Sequence, residues 1–500
     1  MRLGLLRLLA GISAGVVACA IAAGGWTCGE ESAASSAPTK PSRTRSGLPA
    51  SERPLYGGVL RIEIGGRAAS LGPAVAAANE SEAELVPLVY ETLVRIDGRG
   101  EVQPLLAETW ERDASMRRWK FHLRSGVKFQ DGTLLAPQNA VAALINADED
   151  WRVTPTSDGL QIETPSPAPE LPATLAQRKY VLIRRSKDTK GGTGAFKIES
   201  WEAGKHAVLM ANIDYWGGRP FLDSVDVQMR RSARERMIDL EVGKADLIEL
   251  PAEMARRAGD EKIRVETTAT LELLAVTFPP GRAASDDIRS RQAVSQSIDR
   301  AAIVNLVLQK EGEAAGGLLP QWISGTEFLF STAADPAAAR ALVKEIAPAP
   351  SVVLGYDSGD ALEQGVAERI AVNAREAGVG VTAVAIAAPP AGARPERPKF
   401  DARIARVPLT SPLPRPALDE LLAGFQPVIG AEKLSASDSA GAAEIYAREK
   451  AVIETYRVVP IAHLPRVYGV GPRVRNWAIP PGAAMNGLPL ADVWLEREAQ

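Results

Sequence analysis

The sequence predicts an α/β fold, and two observations support this prediction. Segments with helical spacing are mixed with short alternating segments, and no repeat of fixed length runs through the chain. Residues 352–386 have the order strand, helix, strand that is typical of a βαβ unit. The chain has 500 residues, of which 46% are apolar, enough to bury a large core and to form two to four domains.

Hydrophobic periodicity predicts the individual elements in chain order. Strands are predicted over 59–64, 196–201, 207–210, 224–229, 352–355, 379–386 and 458–464. Helices are predicted over 137–146, 232–242, 286–308 as a pair, 336–345, 361–377 and 440–456. Asp299 is predicted to be the N-cap of the second helix of the pair, because its carboxylate can accept a bond from a first-turn amide.

The N-terminal segment has the pattern of an export signal. An apolar run over 8–17 is followed by small residues and then Cys19, the pattern that precedes a lipidated cysteine. We therefore expect cleavage before Cys19 and a lipid anchor on it. The alternative is an ordinary signal cut near Ala23 or Gly25. The apolar run of about 16 residues is shorter than the roughly 20 residues that span a bilayer.

Residues 19–53 form the predicted tether. From residue 29 this stretch is rich in Ser, Ala, Pro, Thr and charge, a composition that cannot build a core. Cys19 and Cys28 are the only cysteines, so the body of the chain has no thiol for a disulfide, a redox centre or a Cys-based zinc site.

Charge and histidine content exclude further classes of function. The net charge of −3 and the lack of a basic stripe argue against binding to nucleic acid. His122, His206 and His463 each lack a second ligand two to four residues away, so no metal site is predicted. No cofactor is predicted.

Two motifs resemble those of enzymes, but neither has the required context. Residues 11–15 match a nucleophile elbow but lie in the export signal. Residues 378–383 imitate a dinucleotide fingerprint, yet they follow a helix and enter a strand, the reverse of what pyrophosphate binding requires. We therefore expect no enzymatic activity.

The stretch 90–141 carries the clearest pattern in the chain. Two apolar runs of period two flank a turn at 124–126, and their members are Trp119, Phe121, Leu123, Val127 and Phe129. This pattern predicts a half-buried β-hairpin.

The same stretch resembles the signature region of the family 5 extracellular solute-binding proteins, the peptide, opine and nickel receptors of ABC importers. The matching residues are Leu106-Ala107-Glu108, Trp110, 121–129 and Asp131-Gly132. Three further blocks resemble family elements in the same order, at 192–218, 288–300 and 459–494.

The resemblance implies a two-lobed, periplasmic-binding-protein-like fold of type II, with an extra inserted domain and with lobes joined by hinge strands. The implied organisation begins with a signal peptide over 1–18 and a tether over 19–53. Lobe I comprises 54–78, 190–265 and 468–500, the inserted domain II comprises 79–189, and lobe II comprises 266–467.

The resemblance also implies a function. The protein would capture a peptide or similar solute between its lobes and deliver it to the permease subunits of an ABC importer, as a monomer in the periplasm or cell envelope. A receptor for a non-peptide solute, such as an opine, an oligosaccharide or a metal chelate, is one alternative. A non-transport envelope sensor or chaperone is another.

Ligand contacts are carried over from the family at several positions. Arg67 and Ala69 lie in the segment that forms one wall of the family site, and Trp322 follows the helix pair on the way towards the ligand. An exposed loop arginine and a lobe-core tryptophan are the alternatives for Arg67 and Trp322.

The chain departs from the family at 409–416. Peptide receptors have acidic residues there that meet the α-ammonium group of the peptide, whereas this chain has Thr410, Ser411 and Arg415. A buried ammonium without a counter-charge costs several kcal/mol, so free peptide N-termini should not bind in the usual way. If Arg415 points inward, the site would favour an anionic group. An exposed loop arginine is the alternative.

Overall fold

A computed structural model describes residues 53–66, 68, 71, 80–97, 100–144, 150–185, 190–346, 349–387, 399–409, 411–430, 441–479 and 487–497. Residues 54–500 group into one compact unit. The predicted signal peptide, Cys19 and nearly all of the tether lie outside the described residues, as do Arg67, Ala69 and Thr410.

The strands of the described chain follow one another from residue 59 to residue 495. In the first half they are β1 Val59–Glu63, β2 Val94–Ile96, β3 Val102–Pro104, β4 Ala107–Arg112, β5 Arg118–Leu123, β6 Arg152–Pro155, β7 Gly159–Glu163, β8 Arg184–Arg185, β9 Lys190–Gly191, β10 Phe196–Glu202, β11 His206–Ala211, β12 Ser224–Gln228 and β13 Leu247–Leu250. In the second half they are β14 Arg264–Thr277, β15 Glu313–Ala314, β16 Ser351–Asp357, β17 Gly380–Ile386, β18 Ala402–Pro408, β19 Val458–Val470, β20 Val474–Arg475 and β21 Trp494–Leu495.

Helices alternate with these strands. They are α1 Glu80–Val89, α2 Pro137–Ala143, α3 Leu171–Leu175, α4 Ala233–Glu241, α5 Ala255–Asp260, α6 Ala283–Asp286, α7 Ile288–Ser297, α8 Arg300–Ala302, α9 Gln321–Ser324, α10 Pro336–Lys344, α11 Ala361–Glu376, α12 Pro414–Ile429 and α13 Ala442–Ile453.

One large sheet runs through the molecule. Among the described residues it has eleven strands, in the order β10-β11-β12-β1-β13-β19-β14-β18-β16-β17, with β15 beside β19. Its two central strands, β14 and β19, are antiparallel and pair from Arg264 with Val470 to Thr277 with Val458. The strands on one side of this pair belong to the first half of the chain, and those on the other side belong to the second.

The pairing of β14 with β19 is irregular near its middle. Register shifts fall between Thr267 and Thr270 and between Thr270 and Glu272. The Thr268 hydroxyl accepts a hydrogen bond from the backbone nitrogen of Arg466 at 2.9 Å. A side chain therefore satisfies a backbone donor at a point where the ladder is interrupted.

Three of the buried apolar clusters occupy different parts of this architecture. The first includes Leu60, Phe196 and Trp477, the second belongs to the four-stranded sheet β4-β5-β7-β6, and the third lies between α11 and the strands β16 and β18. The domain ranges given above remain predictions.

Buried Glu91 joins the first two clusters. Its carboxylate accepts hydrogen bonds from the Thr193 hydroxyl at 2.7 Å, the Tyr215 hydroxyl at 2.9 Å and the Trp216 indole nitrogen at 2.9 Å. Burial raises the pKa of the Glu91 carboxyl, while these donors act in the opposite direction.

Most of the predicted elements are confirmed. The predicted βαβ unit is present as β16, α11 and β17, with the two strands parallel. Asp299 caps α8 by accepting a bond from the Ala302 nitrogen at 2.8 Å. The second helix of the predicted pair is short, because α8 continues into a π-helical turn at Ile303–Val307.

The predicted hairpin over 119–129 is wrong. Strand β5 pairs with β4 and β7 instead, so that Phe121 lies opposite Trp110 on one side and Leu160 on the other. Val127 and Phe129 are buried but lie outside any named strand. Both runs supply core residues, which explains their common apolar pattern.

Candidate functional site

A cavity of about 1350 Å³ opens beside the central strands. Sites for small molecules usually measure about 300–1,000 Å³, so this cavity has room for a bulky solute. Its walls come from three parts of the chain, at 65–66 with 231–253, at 170–180, and at 359–362 with 406–424. Glu272 of β14 and residues 464–467 of β19 also line it.

The lining carries equal numbers of basic and acidic residues. The basic residues are Arg178, Lys179, Arg231, Arg236, Arg406, Arg415 and Arg466, and the acidic residues are Glu170, Glu249, Glu253, Glu272, Asp360, Asp419 and Glu420. The lining therefore has no overall excess of either charge. Whether the cavity favours an anionic or a cationic solute depends on which of these groups are already paired within the protein.

Arg406 on β18 pairs with two carboxylates of the cavity lining, those of Glu272 and Asp360. Its Nη2 lies 2.6 Å from a carboxylate oxygen of Glu272 on the central strand, and its Nη1 lies 2.9 Å from Asp360 at the start of α11. Glu272 is only 6% exposed. Two carboxylates thus occupy one guanidinium, which leaves it little capacity for a ligand.

The wall formed by the first half of the chain is also internally paired. The Arg236 guanidinium lies 3.1 Å from Glu249, and Glu249 accepts a bond from the Gly65 nitrogen at 2.7 Å. A Cβ at Gly65 would stand 2.7 Å from the Arg236 Nη1 atom, so a larger residue here would displace the Arg236 guanidinium. Arg231 pairs with Asp239.

A buried carboxylate lies behind this wall. The Glu63 side chain is almost fully buried, and burial together with the nearby Asp239 carboxylate raises the pKa of Glu63 to about 7. Arg231 acts in the opposite direction.

Arg466 of β19 contacts a further buried acid. Its Nη1 lies 3.3 Å from Glu84 of α1, which also accepts a bond from the Tyr468 hydroxyl. All three residues are nearly inaccessible to solvent. The cluster connects the helix α1 to the central strand that lines the cavity.

Two acidic residues of the lining differ from the others. The Oε2 atoms of Glu253 and Glu420 are buried and have no hydrogen-bond partner in the described part of the chain. Burial raises the pKa of Glu420 to about 7, although Arg178 and Lys179 act to lower it. Burial also raises the pKa of Glu253, and the Asp360 carboxylate raises it further.

Of the site residues predicted from the sequence, three are described and one lines the cavity. Arg415 lines it, and its Nη2 lies 3.6 Å from buried Glu444. Ser411 is 1% exposed, and Trp322 is 37% exposed with its indole nitrogen donating to the Thr270 carbonyl at 3.0 Å. Neither is part of the lining, and their contact with a ligand remains a prediction.

Sequence reasoning missed Arg406, Glu272, Glu253, Glu420 and Arg466. A usable signal existed for two of them. Glu272 interrupts the apolar run of β14, and Arg466 interrupts that of β19. A charged residue within an otherwise buried apolar run indicates a paired or functional group.

A second polar cluster lies outside the cavity. Glu327 accepts hydrogen bonds from the nitrogens of Gly316 at 2.8 Å and Gly317 at 2.9 Å. Burial raises the pKa of Glu327 to about 7 and that of Glu449 to about 8, and it lowers the pKa of His463 to about 4.

The described residues contain neither a metal-binding cluster nor a membrane-spanning helix. No group of three or more His, Cys, Asp or Glu side chains there is placed to hold a metal ion. None of the helices in that part of the chain is both long enough and apolar enough to cross a bilayer.

Two groups of strands, joined by two long central strands and flanking a large cavity, define a two-lobed solute-binding protein. The sequence profile described as "Bacterial extracellular solute-binding proteins, family 5 Middle" matches residues 101–426. The chain belongs to this family of solute-binding proteins.

Curated relatives are similar over about half of the chain. The dipeptide-binding protein of Escherichia coli K12 is 25% identical over 53% of this chain and 58% of its own length. Heme-binding protein A of Haemophilus influenzae is 24% identical over 51% of this chain and 56% of its own length. The nickel-binding periplasmic protein of E. coli K12 is 22% identical, over 59% and 66%. The chain thus spans between half and two thirds of these relatives.

Solved structures are similar over a larger share. DppA of Helicobacter pylori in complex with peptide STSA gives a TM-score of 0.73 at 17% identity, covering 89% of this chain and 99% of its own. NikA of Staphylococcus aureus in complex with Ni(L-His)2 gives a TM-score of 0.70 at 16% identity, covering 88% of this chain and 100% of its own. AgaA of A. tumefaciens R10 in complex with agropinic acid gives a TM-score of 0.70 at 18% identity, covering 88% of this chain and 99% of its own. These likenesses establish the two-lobed fold.

Proposed function

We propose that this chain is the substrate-binding protein of an ABC importer. It captures a peptide or a similar solute between its lobes and delivers it to the permease subunits in the membrane. In this proposal the protein acts by binding alone, and the energy for uptake comes from a separate ATPase. Family membership and the names of the relatives support this proposal.

The observation that carries the proposal is the cavity. Its lining comes from both sides of the central strand pair, so a solute within it contacts both lobes at once. A ligand that binds the closed arrangement better than the open one shifts the population towards closure. The permease can then distinguish the loaded receptor from the empty one by its shape.

The volume of the cavity favours a solute larger than a single amino acid. A cavity of about 1350 Å³ exceeds the usual range for small-molecule sites. A short peptide uses such a volume well, since its backbone and its side chains can each find partners.

We further propose that the chain is exported and held at a membrane by a lipid on Cys19, with residues 19–53 as a tether. It would act as a monomer in the periplasm or cell envelope. Arg67, Ala69, Trp322, Thr410, Ser411 and Arg415 are retained as proposed ligand contacts, of which Arg415 lies in the lining of the cavity.

Native mass spectrometry of the full-length protein, purified from its own host, tests the proposal. We expect a solute to accompany the protein and to be released on denaturation. A protein that arrives empty, and that no extract of peptides or small molecules stabilises against heat, would contradict the proposal, because a bound ligand raises the unfolding temperature.

A further inference from the structure

The basic residues of the cavity already have partners. Arg231, Arg236, Arg406, Arg415 and Arg466 each lie within 4 Å of a carboxylate. Arg178 and Lys179 also have interaction partners. A ligand carboxylate or phosphate would therefore compete with existing ion pairs for these groups.

Two acidic residues of the lining, Glu253 and Glu420, take part in no ion pair between described residues. The Nε atoms of Arg231, Arg236 and Arg466 are also buried without a hydrogen bond to a described residue, but the charge of each of these arginines is already matched by a carboxylate. Glu253 lies between β13 and α5 on one wall, and Glu420 lies within α12 on another. Each has an oxygen that is buried from solvent and lacks a hydrogen bond within the described residues. Leaving such an oxygen unpaired has a free-energy cost, which a positive charge placed against the carboxyl group from the cavity would offset.

Within the described ranges, no neighbouring group donates a hydrogen bond to either Oε2 atom. The charges that act on Glu253 are Asp360, which raises its pKa, and Arg406, which lowers it and is bonded to Glu272 and to Asp360. Arg178 and Lys179 influence Glu420 electrostatically, but no residue that the structure describes donates a hydrogen bond to the Oε2 atom of Glu420.

We propose that the solute carries a positively charged ammonium or guanidinium group, and that Glu253 and Glu420 are the specificity-determining residues that receive it. This inference rests on the proposed function and names the chemical class of the solute. A charge-assisted bond to a carboxylate is among the stronger polar contacts available. Because the two residues lie on different walls, cationic groups at both would draw the walls together.

This inference differs from both expectations drawn from the segment 409–416. That segment lacks the acidic residues of peptide receptors, and its Arg415 suggested an anionic solute. In the structure Arg415 faces Glu444, whose side chain is only 3% exposed. Glu420 supplies a carboxylate from the following helix.

Calorimetric titration of the full-length protein tests the inference with defined probes. The first pair is the tripeptide Ala-Lys-Ala and its counterpart Ala-Gln-Ala, both with an acetylated amino terminus so that the lysine ammonium is the only cation. The second pair is Ala-Gln-Ala with a free and with an acetylated amino terminus, which tests the α-ammonium group alone. Spermidine is a third probe, which separates a peptide source of the cation from a polyamine source. We expect each cationic probe that binds to bind at least tenfold more tightly than its neutral counterpart.

Two variants and a control identify the residues. Glu253→Gln and Glu420→Gln are each expected to weaken binding of the cationic probe by tenfold or more, because the amide keeps the shape but loses the charge. Glu376→Gln is the matched control, since Glu376 is exposed at the end of α11 and is not part of the lining. It should leave the affinity unchanged.

The unfolding temperature without ligand distinguishes binding from a structural role. Removing a buried carboxylate whose pKa is raised should leave the melting temperature at pH 8 equal or higher in both variants. A fall in melting temperature in both variants would assign the two residues to the fold and would contradict the inference.

The outcomes separate this inference from the proposed function. Equal affinity for cationic and neutral probes, or wild-type affinity in both variants, overturns the inference and leaves the receptor intact. If no probe binds, the solute released from the native protein takes their place: a cationic group in it supports the inference, and a neutral or anionic solute overturns it. A protein that binds nothing overturns the proposed function and this inference with it.

Discussion

The Oε1 atom of Glu449 lies 2.9 Å from the backbone nitrogen of Leu319, at a position that is completely inaccessible to solvent. The same oxygen accepts a bond from Leu318, and Glu327 accepts from the two preceding amides. Two carboxylates therefore hold four consecutive backbone donors. The segment that leads to the helix of Trp322 is fixed in this way against α13 and β19.

The first prediction concerns the pH dependence that Glu449 introduces. Its pKa in the folded protein is about 8, above the ordinary value of 4.5, so the folded state favours the protonated carboxyl. The stability it contributes is complete below about pH 4.5 and is lost as the pH rises through about 8.

Glu449→Gln removes this titration and keeps an oxygen that can accept from Leu318 and Leu319. We expect the variant to lose less unfolding free energy than the wild type between pH 6 and pH 9, by about 1 kcal/mol or more. Urea unfolding at both pH values measures the difference, with Glu376→Gln as the exposed control. Identical losses in variant and wild type would refute the assignment.

The second prediction concerns the glycine between the two carboxylates. A Cβ on Gly317 would approach the Oε1 atom of Glu449 to 2.7 Å and would collide with Glu327. We expect Gly317→Ala to reduce the unfolding free energy by roughly 2–4 kcal/mol, because both buried acids are bonded to backbone nitrogens and a shift of either would disturb those bonds.

Gly259→Ala is the matched control for this substitution. Gly259 lies in α5, and a Cβ there would meet no atom within 4 Å. Alanine should stabilise this helix by up to about 1 kcal/mol. Urea denaturation of both variants provides the comparison, and similar effects of the two changes would argue against crowding at Gly317.

The third prediction concerns acid sensitivity. His463 is fully buried, its Nε2 donates to the Leu318 carbonyl at 3.1 Å, and its pKa is lowered to about 4. A histidine whose folded pKa lies below its ordinary value of 6.5 contributes stability above about pH 6.5, which is lost as the pH falls through about 4.

His463→Gln should reduce this loss, because the amide can donate to the same carbonyl and does not become charged. Chemical unfolding at pH 7 and at pH 4.5 tests the expectation, and His206→Gln, on the more exposed β11, serves as the control. If the variant loses as much free energy as the wild type on acidification, the imidazole is not responsible.

The fourth prediction concerns the ion pair between Arg406 and Glu272 in the cavity lining. Arg406→Met leaves the carboxylate of Glu272, which is 6% exposed, without its main partner. We expect a loss of about 1–3 kcal/mol in unfolding free energy. Adding Glu272→Gln should recover part of the loss, and the double-mutant cycle gives the coupling energy.

A surface ion pair provides the comparison for this cycle. Arg118 and Glu163 lie 3.1 Å apart, with Arg118 57% exposed. Arg118→Met should cost about 0–1 kcal/mol, as exposed pairs usually do. An equal cost at both sites would show that burial of Glu272 does not strengthen its pair.

The predicted elements were reliable where local pattern alone determines the structure. The strand-helix-strand over 352–386 is present because each element has its own periodicity and a short connection. Asp299 caps α8 because capping depends on neighbours three residues away. Such features need no information about distant parts of the chain.

The hairpin over 119–129 shows where local pattern is insufficient. Alternation indicates which face of β5 is buried but does not identify its partners, and β4 and β7 pair with it. Local pattern is equally insufficient to predict which residues line the cavity. Glu253 and Glu420 come from segments whose proximity depends on the whole sheet, so no spacing in the sequence connects them.

The position of β19 between β13 and β14 also affects how the protein folds. Arg473 donates to the carbonyl of Val59, a residue 414 positions earlier, and Trp477 belongs to the same core as Leu60. Contacts of such long sequence separation slow folding, since the entropy of a long loop is lost before any contact is gained. A chain still lacking its β19 region would have no partner for one edge of β13 and would leave the core around Leu60 incomplete. We therefore expect the first lobe to become resistant to proteolysis only after the segment from 458 to 495 has been added.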